Sequence, residues 1–209
     1  AYGWINALAQ LLLKLTCPGV PDIYQGSELW NLSLVDPDNR RPVDYDHRRA
    51  LLNDLKQQLR LAGQDFTALT RQLLDTPEDG RVKLYLTYQV MNYRRSHQNL
   101  FSQGAYTPLL AVGEKAHYVC SFIRQLQDEV GVIAVPRLVV GLTGGRVEHL
   151  LKIGQWGDTS LILPHEMTGK SFHNLLTGER VTVDSKEGNA TLPLAPLFQF
   201  FPVTLLVPV

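Results

Sequence analysis

Between Tyr24 and Arg41, within 18 residues, the chain gathers an aromatic ring, side-chain amides, carboxylates and guanidinium groups: Tyr24, Gln25, Glu28, Trp30, Asp36, Asp38, Asn39, Arg40 and Arg41. A sugar presents hydroxyls around its edge and an apolar face, so a site for it needs fixed polar groups of these kinds beside an aromatic. Tyr24, Gln25, Glu28, Asp36, Asp38, Asn39, Arg40 and Arg41 are therefore candidate substrate-binding residues. Residue physics alone favours a plainer account. In it, Arg40 and Arg41 pair with the neighbouring aspartates and stiffen a Pro-flanked loop, because charged loops are usually solvated or self-paired. Glu28 has two readings as well, a sugar contact or a cap on the backbone of its own loop. Retaining glycoside chemistry takes two carboxyl groups about 5 to 5.5 Å apart. Asp36 and Asp38, two positions apart in a Pro-containing loop, give no assurance of converging in that way, so no catalytic residue is assigned.

Other patterns break down at the positions where their chemistry is decided. Asp36-Pro37-Asp38-Asn39 opens like a calcium loop, but Arg41 stands where Gly is needed and His47 where a bidentate Glu is needed. Gly169-Lys170-Ser171 ends like a phosphate-binding loop, with Pro164 in the place of its first Gly. His165-Glu166 opens like a zinc-protease motif whose second His is replaced by Gly169. The six histidines have no metal-ligand spacing, so neither a metal nor a cofactor is expected. Cys17 and Cys120 lie far apart with no CxxC grouping, which favours free thiols in a reducing cytoplasm. Twenty basic residues balance twenty acidic ones, so no global charge draws the chain to nucleic acid or an anionic membrane. No apolar run approaches the ~18 residues of a membrane span. A cytoplasmic location is the expectation.

The elements that must position the polar loop fall into two halves. A length of 209 residues allows one large domain or two small ones, at a soft prior of about 100 to 200 residues each. Residues 4 to 15 are apolar almost all round, with Asn6, Gln10 and Lys14 on one narrow stripe, which predicts a helix with neighbours on most sides. A short strand is expected over 20 to 24. Helices follow from about Asp46, as cap, to Gly63, from Asp65 to Thr76-Pro77, and from about Asp79 past Tyr93. Beyond Gly104 the period changes to short apolar clusters. They predict strands over 106–112, 117–124, 131–140, 159–163, 172–176, 180–183 and 199–207, with Thr177-Gly178-Glu179 as a hairpin turn. Short strands with no long helix between them suggest an antiparallel sandwich. The fold class is thus α+β, divided into residues 1–103 and 104–209. Tyr106, Tyr118 and Phe122 are expected in the sandwich core by their strand spacing, rather than as the exposed platform of a carbohydrate-binding module.

The run Pro18-Gly19-Val20-Pro21-Asp22-Ile23-Tyr24-Gln25-Gly26-Ser27-Glu28-Leu29-Trp30, followed by Asp36-Pro37-Asp38-Asn39-Arg40-Arg41-Pro42-Val43-Asp44, resembles the last strand and following loop of the catalytic barrel in the α-amylase superfamily. Within it, the resemblance is to the maltooligosyl trehalose synthase family. Asp79-Gly80-Arg81-Val82-Lys83-Leu84, Trp156-Gly157-Asp158-Thr159, Leu176-Thr177-Gly178-Glu179-Arg180 and Phe201-Pro202-Val203-Thr204-Leu205-Leu206 agree in order. The resemblance implies that residues 1–103 are the end of a (β/α)8 barrel and 104–209 its β-sandwich tail. In such barrels active sites form at the carboxyl ends of the strands, so the residues after Ile23 would face substrate. It further implies a cofactor-free intramolecular transglycosylation of maltooligosaccharides, with the reacting carboxylates on earlier strands. The chain, beginning at Ala1, is expected to be a C-terminal portion and inactive by itself. Related enzymes use an Arg in this loop to hold a pocket carboxylate, and Arg40 fits by its spacing to Pro42. A lone barrel strand also has unpaired edges, so the remainder of the barrel, the helices or a second copy of the chain is expected to cover it. A hydrolase of the same superfamily and a non-catalytic carbohydrate-binding module are the alternatives.

Overall fold

In a computed structural model, residues 2–34 and 38–209 are described, and for Asn39 and Ile153 the backbone alone. Helix α1, Tyr2–Thr16, fully buries Ile5, Leu8, Leu12 and Leu15 and leaves Asn6, Gln10 and Lys14 exposed, as a helix with one polar stripe must. Helix α2, Tyr45–Ala62, begins at Asp44, whose side chain accepts from the His47 N–H at 2.9 Å, and ends at Gly63. The cap is therefore Asp44 and not Asp46, which lies inside the first turn. Helix α3, Thr67–Asp75, is preceded by Asp65, whose carboxylate accepts from the Thr67 N–H at 2.9 Å and the Thr67 hydroxyl at 2.6 Å. Helix α4, Arg81–Ser96, buries Val82, Leu86 and Val90 along one side, and α5, Gln98–Gln103, closes the helical half.

In chain order the strands are β1 (Ala105–Pro108), β2 (Leu110–Val112), β3 (Val119–Leu126), β4 (Glu129–Pro136), β5 (Ser160–Leu163), β6 (Ser171–Asn174), β7 (Arg180–Thr182), β8 (Asp184–Lys186), β9 (Asn189–Pro193) and β10 (Thr204–Pro208). Two short helices interrupt them, α6 (Val139–Thr143) and α7 (Leu194–Leu197). Among the described residues they make two antiparallel sheets, one of order β1-β3-β4-β10-β6-β7 and one of order β2-β5-β9-β8.

The large sheet is the middle layer. Phe122, Ile133, Val135, Leu205 and Val207 face the helices and share a core with Leu8, Leu12, Leu15, Val82, Leu86 and Val90. The alternate residues Ile123, Val132, Ala134 and Leu206 face the small sheet and pack with Leu161, Leu163, Ala190 and Leu192. Side chains alternate faces along a strand, so a stretch buried on both sides must be apolar on both, as β4 is from Val130 onward and β10 from Leu205 onward. The change from helix to strand falls at residues 103 and 104, and the first of these two cores crosses it.

Several expectations need correction. Residues 20–24 form no strand: among the described residues none runs beside them to complete a ladder, and Val20 is 95% exposed. The expected strand 106–112 is two strands in different sheets, the chain changing sheets at Leu109, whose N–H donates to Ser121 O at 3.0 Å. The strand expected to run to Val140 stops at Pro136, and Leu138 adopts a left-handed φ of 51° before α6. The last strand starts at Thr204, because α7 and a turn carry Phe198 and Phe201 into the core as plugs. Phe122 is fully buried, whereas Tyr106 is 42% exposed and lies on the Phe122 ring with centroids 4.6 Å apart.

Candidate functional site

The polar loop is built outward from α1. At the end of that helix, Arg94 of α4 donates to Leu15 O at 2.8 Å and Gly19 O at 3.0 Å, pinning the chain where it leaves the helix. Arg94 also lies 5.2 Å over the Phe101 ring. From Tyr24 the chain turns back on itself. The Ser27 N–H and hydroxyl both reach Tyr24 O, at 3.2 and 2.6 Å, and Gly26 takes a left-handed φ of 82° that a side chain rarely adopts. Leu29 is buried, and Lys83 of α4 donates to its carbonyl at 3.1 Å. Trp30 donates its indole N–H to Pro77 O at 2.6 Å, with the Lys83 ammonium 5.4 Å from its ring. Gly80 permits this approach, since a Cβ there would stand 3.1 Å from the Trp30 nitrogen. Burial, and then the like charge of Lys14, holds the Lys83 ammonium pKa below the usual lysine range, and Glu28 acts the other way.

The candidate residues do not all play one part. Tyr24 is half exposed and Gln25 exposed, both at the first turn, where a ligand could reach them. Glu28 points inward: its Oε2 accepts from Arg48 Nε at 3.1 Å. That contact is an ion pair with a side chain of α2, and it is neither a sugar contact nor a cap on the backbone of its own loop. Asp38 accepts from the Leu34 N–H at 2.9 Å and pairs with Arg41 across three residues. The plainer account therefore describes Arg41 and Asp38. Their pair stiffens the loop, and at an exposed site such a pair contributes about 0 to 1 kcal/mol. Arg40 is exposed at the end of a 3₁₀ turn, Asp38–Arg40. Asp36 lies outside the described residues, as does the side chain of Asn39. Cys17 and Cys120 carry free, half-buried thiols, and burial pushes the Cys17 thiol pKa up.

Sequence reasoning missed the residues that hold this loop. Arg48, in the run His47-Arg48-Arg49, was not singled out in the sequence. Lys83 lay inside a motif quoted for resemblance, but its own role was not read. Arg94 stands near the carboxyl end of α4, where the helix dipole favours cations, but it donates to the end of α1 and to the loop. Arg124, on β3, is 1% exposed. It donates to Thr16 O at 2.9 Å, Phe101 O at 3.0 Å and Gly104 O at 2.8 Å, with longer bonds to Leu100 O and Ala105 O. All of these acceptors except Ala105, in β1, sit at the carboxyl ends of α1 and α5, where helix dipoles place partial negative charge. A buried cation is thus accommodated by carbonyls. Only the partner's location in space could have revealed this.

No family model matches the chain. It is 37% identical, over 97% of its length, to a curated Mycobacterium tuberculosis protein named as a maltooligosyl trehalose synthase, of which it spans 20%. The solved maltooligosyltrehalose synthase of Arthrobacter ramosus superposes on all of it with a TM-score of 0.74 at 33% identity, over 23% of that chain. An Anoxybacillus α-amylase matches 97% of it at a TM-score of 0.53 and 20% identity, over 32% of that chain, which shows likeness of fold.

Proposed function

Because the chain is the counterpart of a C-terminal portion of maltooligosyl trehalose synthases, we propose that the protein it belongs to converts the reducing-end α-1,4 linkage of a maltooligosaccharide into an α,α-1,1 linkage. It is then a (1,4)-α-D-glucan 1-α-D-glucosylmutase. The carrying observation is the likeness over nearly the whole chain, together with a polar loop of sugar-binding character in which Tyr24, Gln25 and Arg40 are exposed. In this reaction an enzyme carboxylate displaces the terminal glucose and forms a glycosyl ester while a second carboxyl group protonates the departing 4-oxygen. The glucose turns, and its anomeric hydroxyl attacks the ester, giving its proton back to the second carboxylate. Neither cofactor nor net water is consumed.

On this reading the chain supplies a wall of the pocket and the sheets behind it, and the reacting carboxylates lie elsewhere in the protein. Glu28 and Asp38 are already engaged, by Arg48 and by Arg41. The isolated chain is therefore inactive. A cytoplasmic location, contact with the remainder of a barrel and self-association of the isolated chain belong to the same proposal. Incubating the full-length protein with maltopentaose should give a non-reducing product at constant total sugar, and the chain alone should give none. Stoichiometric release of glucose would assign a hydrolase instead. Turnover that follows the concentration of the isolated chain would overturn the assignment of the chemistry to other residues.

A further inference from the structure

We infer that Arg48 is the positioning residue of the candidate sugar loop, an assignment that rests on the glycan reading above. Its guanidinium reaches three acceptors in two separate stretches of the chain, residues 26–28 and residue 44. Nη2 donates to Gly26 O at 2.8 Å, Nε to the Glu28 carboxylate at 3.1 Å and Nη1 to Asp44 O at 3.0 Å. Residues 26 to 28 open the loop and residue 44 closes it, so one planar group joins the two ends. The junction is tight. Gly26 is buried, and a Cβ there would lie 3.1 Å from Val43 Cγ2 and 3.5 Å from Arg48 Nη2. Arg48 itself is mostly buried, at 19% side-chain exposure, in a helix that Asp44 caps.

The described residues between these ends include Asp38, Arg40 and Arg41. With both ends fixed by one group, the 3₁₀ turn that presents Arg40 is set in place relative to Tyr24 and Gln25. Arg48 acts through the loop, because its donors are engaged inside the protein. A lysine cannot replace it, since an ammonium on a flexible stem lacks the planar fork that meets three acceptors at once.

The test uses the full-length protein with Arg48→Ala, Arg48→Lys and, as control, Arg49→Ala, whose guanidinium pairs with exposed Asp46 on the same helix. Two readouts are taken. The first is the rate of tryptic cleavage at the Arg40–Arg41 bond under native conditions, which should rise about tenfold in Arg48→Ala as the loop opens locally. The second is kcat/KM with maltopentaose, which should fall about a hundredfold, the size expected for displaced binding groups. Millimolar guanidinium should restore part of that loss in Arg48→Ala and nothing in the parent. If Arg48→Ala does not fold, Arg48→Lys carries both measurements. Cleavage and kinetics equal to the parent's in the Arg48 variants would overturn the inference. A parent without turnover on maltooligosaccharides would overturn the glycan reading instead, and the cleavage rates would still show whether Arg48 closes the loop.

Discussion

Strand β10 and the loop of residues 18–44 are fixed in different ways. β10 pairs with β4 on one side and β6 on the other, and both of its faces are covered, Leu205 and Val207 by the helices and Leu206 by the small sheet. Among its described residues the loop has no ladder. It is held by donors that reach its carbonyls from helices: Arg94 at Gly19, Arg48 at Gly26 and Lys83 at Leu29. Apolar burial is non-directional and additive over area, so the strand contributes stability and tolerates little loss of volume. Hydrogen bonds are directional and contribute about 0.5 to 1.5 kcal/mol net, so the loop's contacts set its shape more than the molecule's stability. Damage to the strand should therefore appear in melting, and damage to the loop in catalysis.

The sharpest break of this contrast is removal of residues 204–209. The large sheet would lose its centre, leaving β4 and β6 without the neighbour between them, and no cooperative thermal transition should remain by circular dichroism. A soluble product that still melts cooperatively would make β10 peripheral. A smaller cut at the same core is Phe122→Ala, which empties a fully buried site between the sheet and the helices. Urea denaturation should show a loss of about 3 to 5 kcal/mol. A loss below about 1 kcal/mol would mean that the helices do not depend on the sheet face beneath them.

The helix-to-sheet junction can also be probed by pH. Burial raises the Tyr85 phenol pKa and pushes that of Tyr93 up to about 12. Tyr85 donates to Leu176 O at 2.5 Å. A raised pKa means that the folded state keeps a proton the unfolded chain gives up. The stability these groups contribute is therefore complete below the ordinary tyrosine value of about 10 and declines as pH climbs toward 12. The melting temperature should fall between pH 9.5 and pH 11.5, on the order of those pKa values, and Tyr85→Phe should flatten the fall. A fall of equal slope in Tyr85→Phe would assign the alkaline loss to other groups.

The smallest expected change in stability, and the one that tests the loop side of the contrast, is Arg40→Lys in the full-length protein. Charge is kept while the planar pair of donors is lost, so kcat/KM should drop about tenfold, equivalent to about 1.4 kcal/mol of transition-state stabilisation. Stability should stay within about 0.5 kcal/mol of the parent and of the exposed control Arg71→Lys. Unchanged kinetics would place Arg40 with Arg41 as a stiffener of the loop.

The long helices and most of the strands were legible in the sequence because their signal is local. The spacing of Leu8, Leu12 and Leu15 predicts α1, and Val82, Leu86 and Val90 predict α4. β8, Asp184-Ser185-Lys186, could not be read, because it is exposed along its length and has no apolar residue to show a period. Residues 199–203 read as the start of a strand because Phe200, Phe201 and Val203 are apolar, yet Phe201 is a plug in a turn. Hydrophobicity predicts burial more surely than it predicts conformation. In the candidate site the residue types were legible, but their division of labour was not. Nothing local separates Glu28, turned in to Arg48, from Gln25, turned out to solvent.

By itself, the sequence determined the class of the fold, the place where helix gives way to strand, the polar character of the loop and the family likeness, all of which depend on neighbouring residues or on order along the chain. Tertiary structure decided which side-chain donor meets which carbonyl. Arg124 and Thr16 are 108 positions apart, Tyr85 and Leu176 are 91 apart, and Arg94 and Gly19 are 75 apart. A backbone carbonyl is present at every residue, so sequence cannot mark the acceptor. Only the packing of α1, α4 and the large sheet brings the chosen oxygen within reach, and removal from water there makes the bond obligatory.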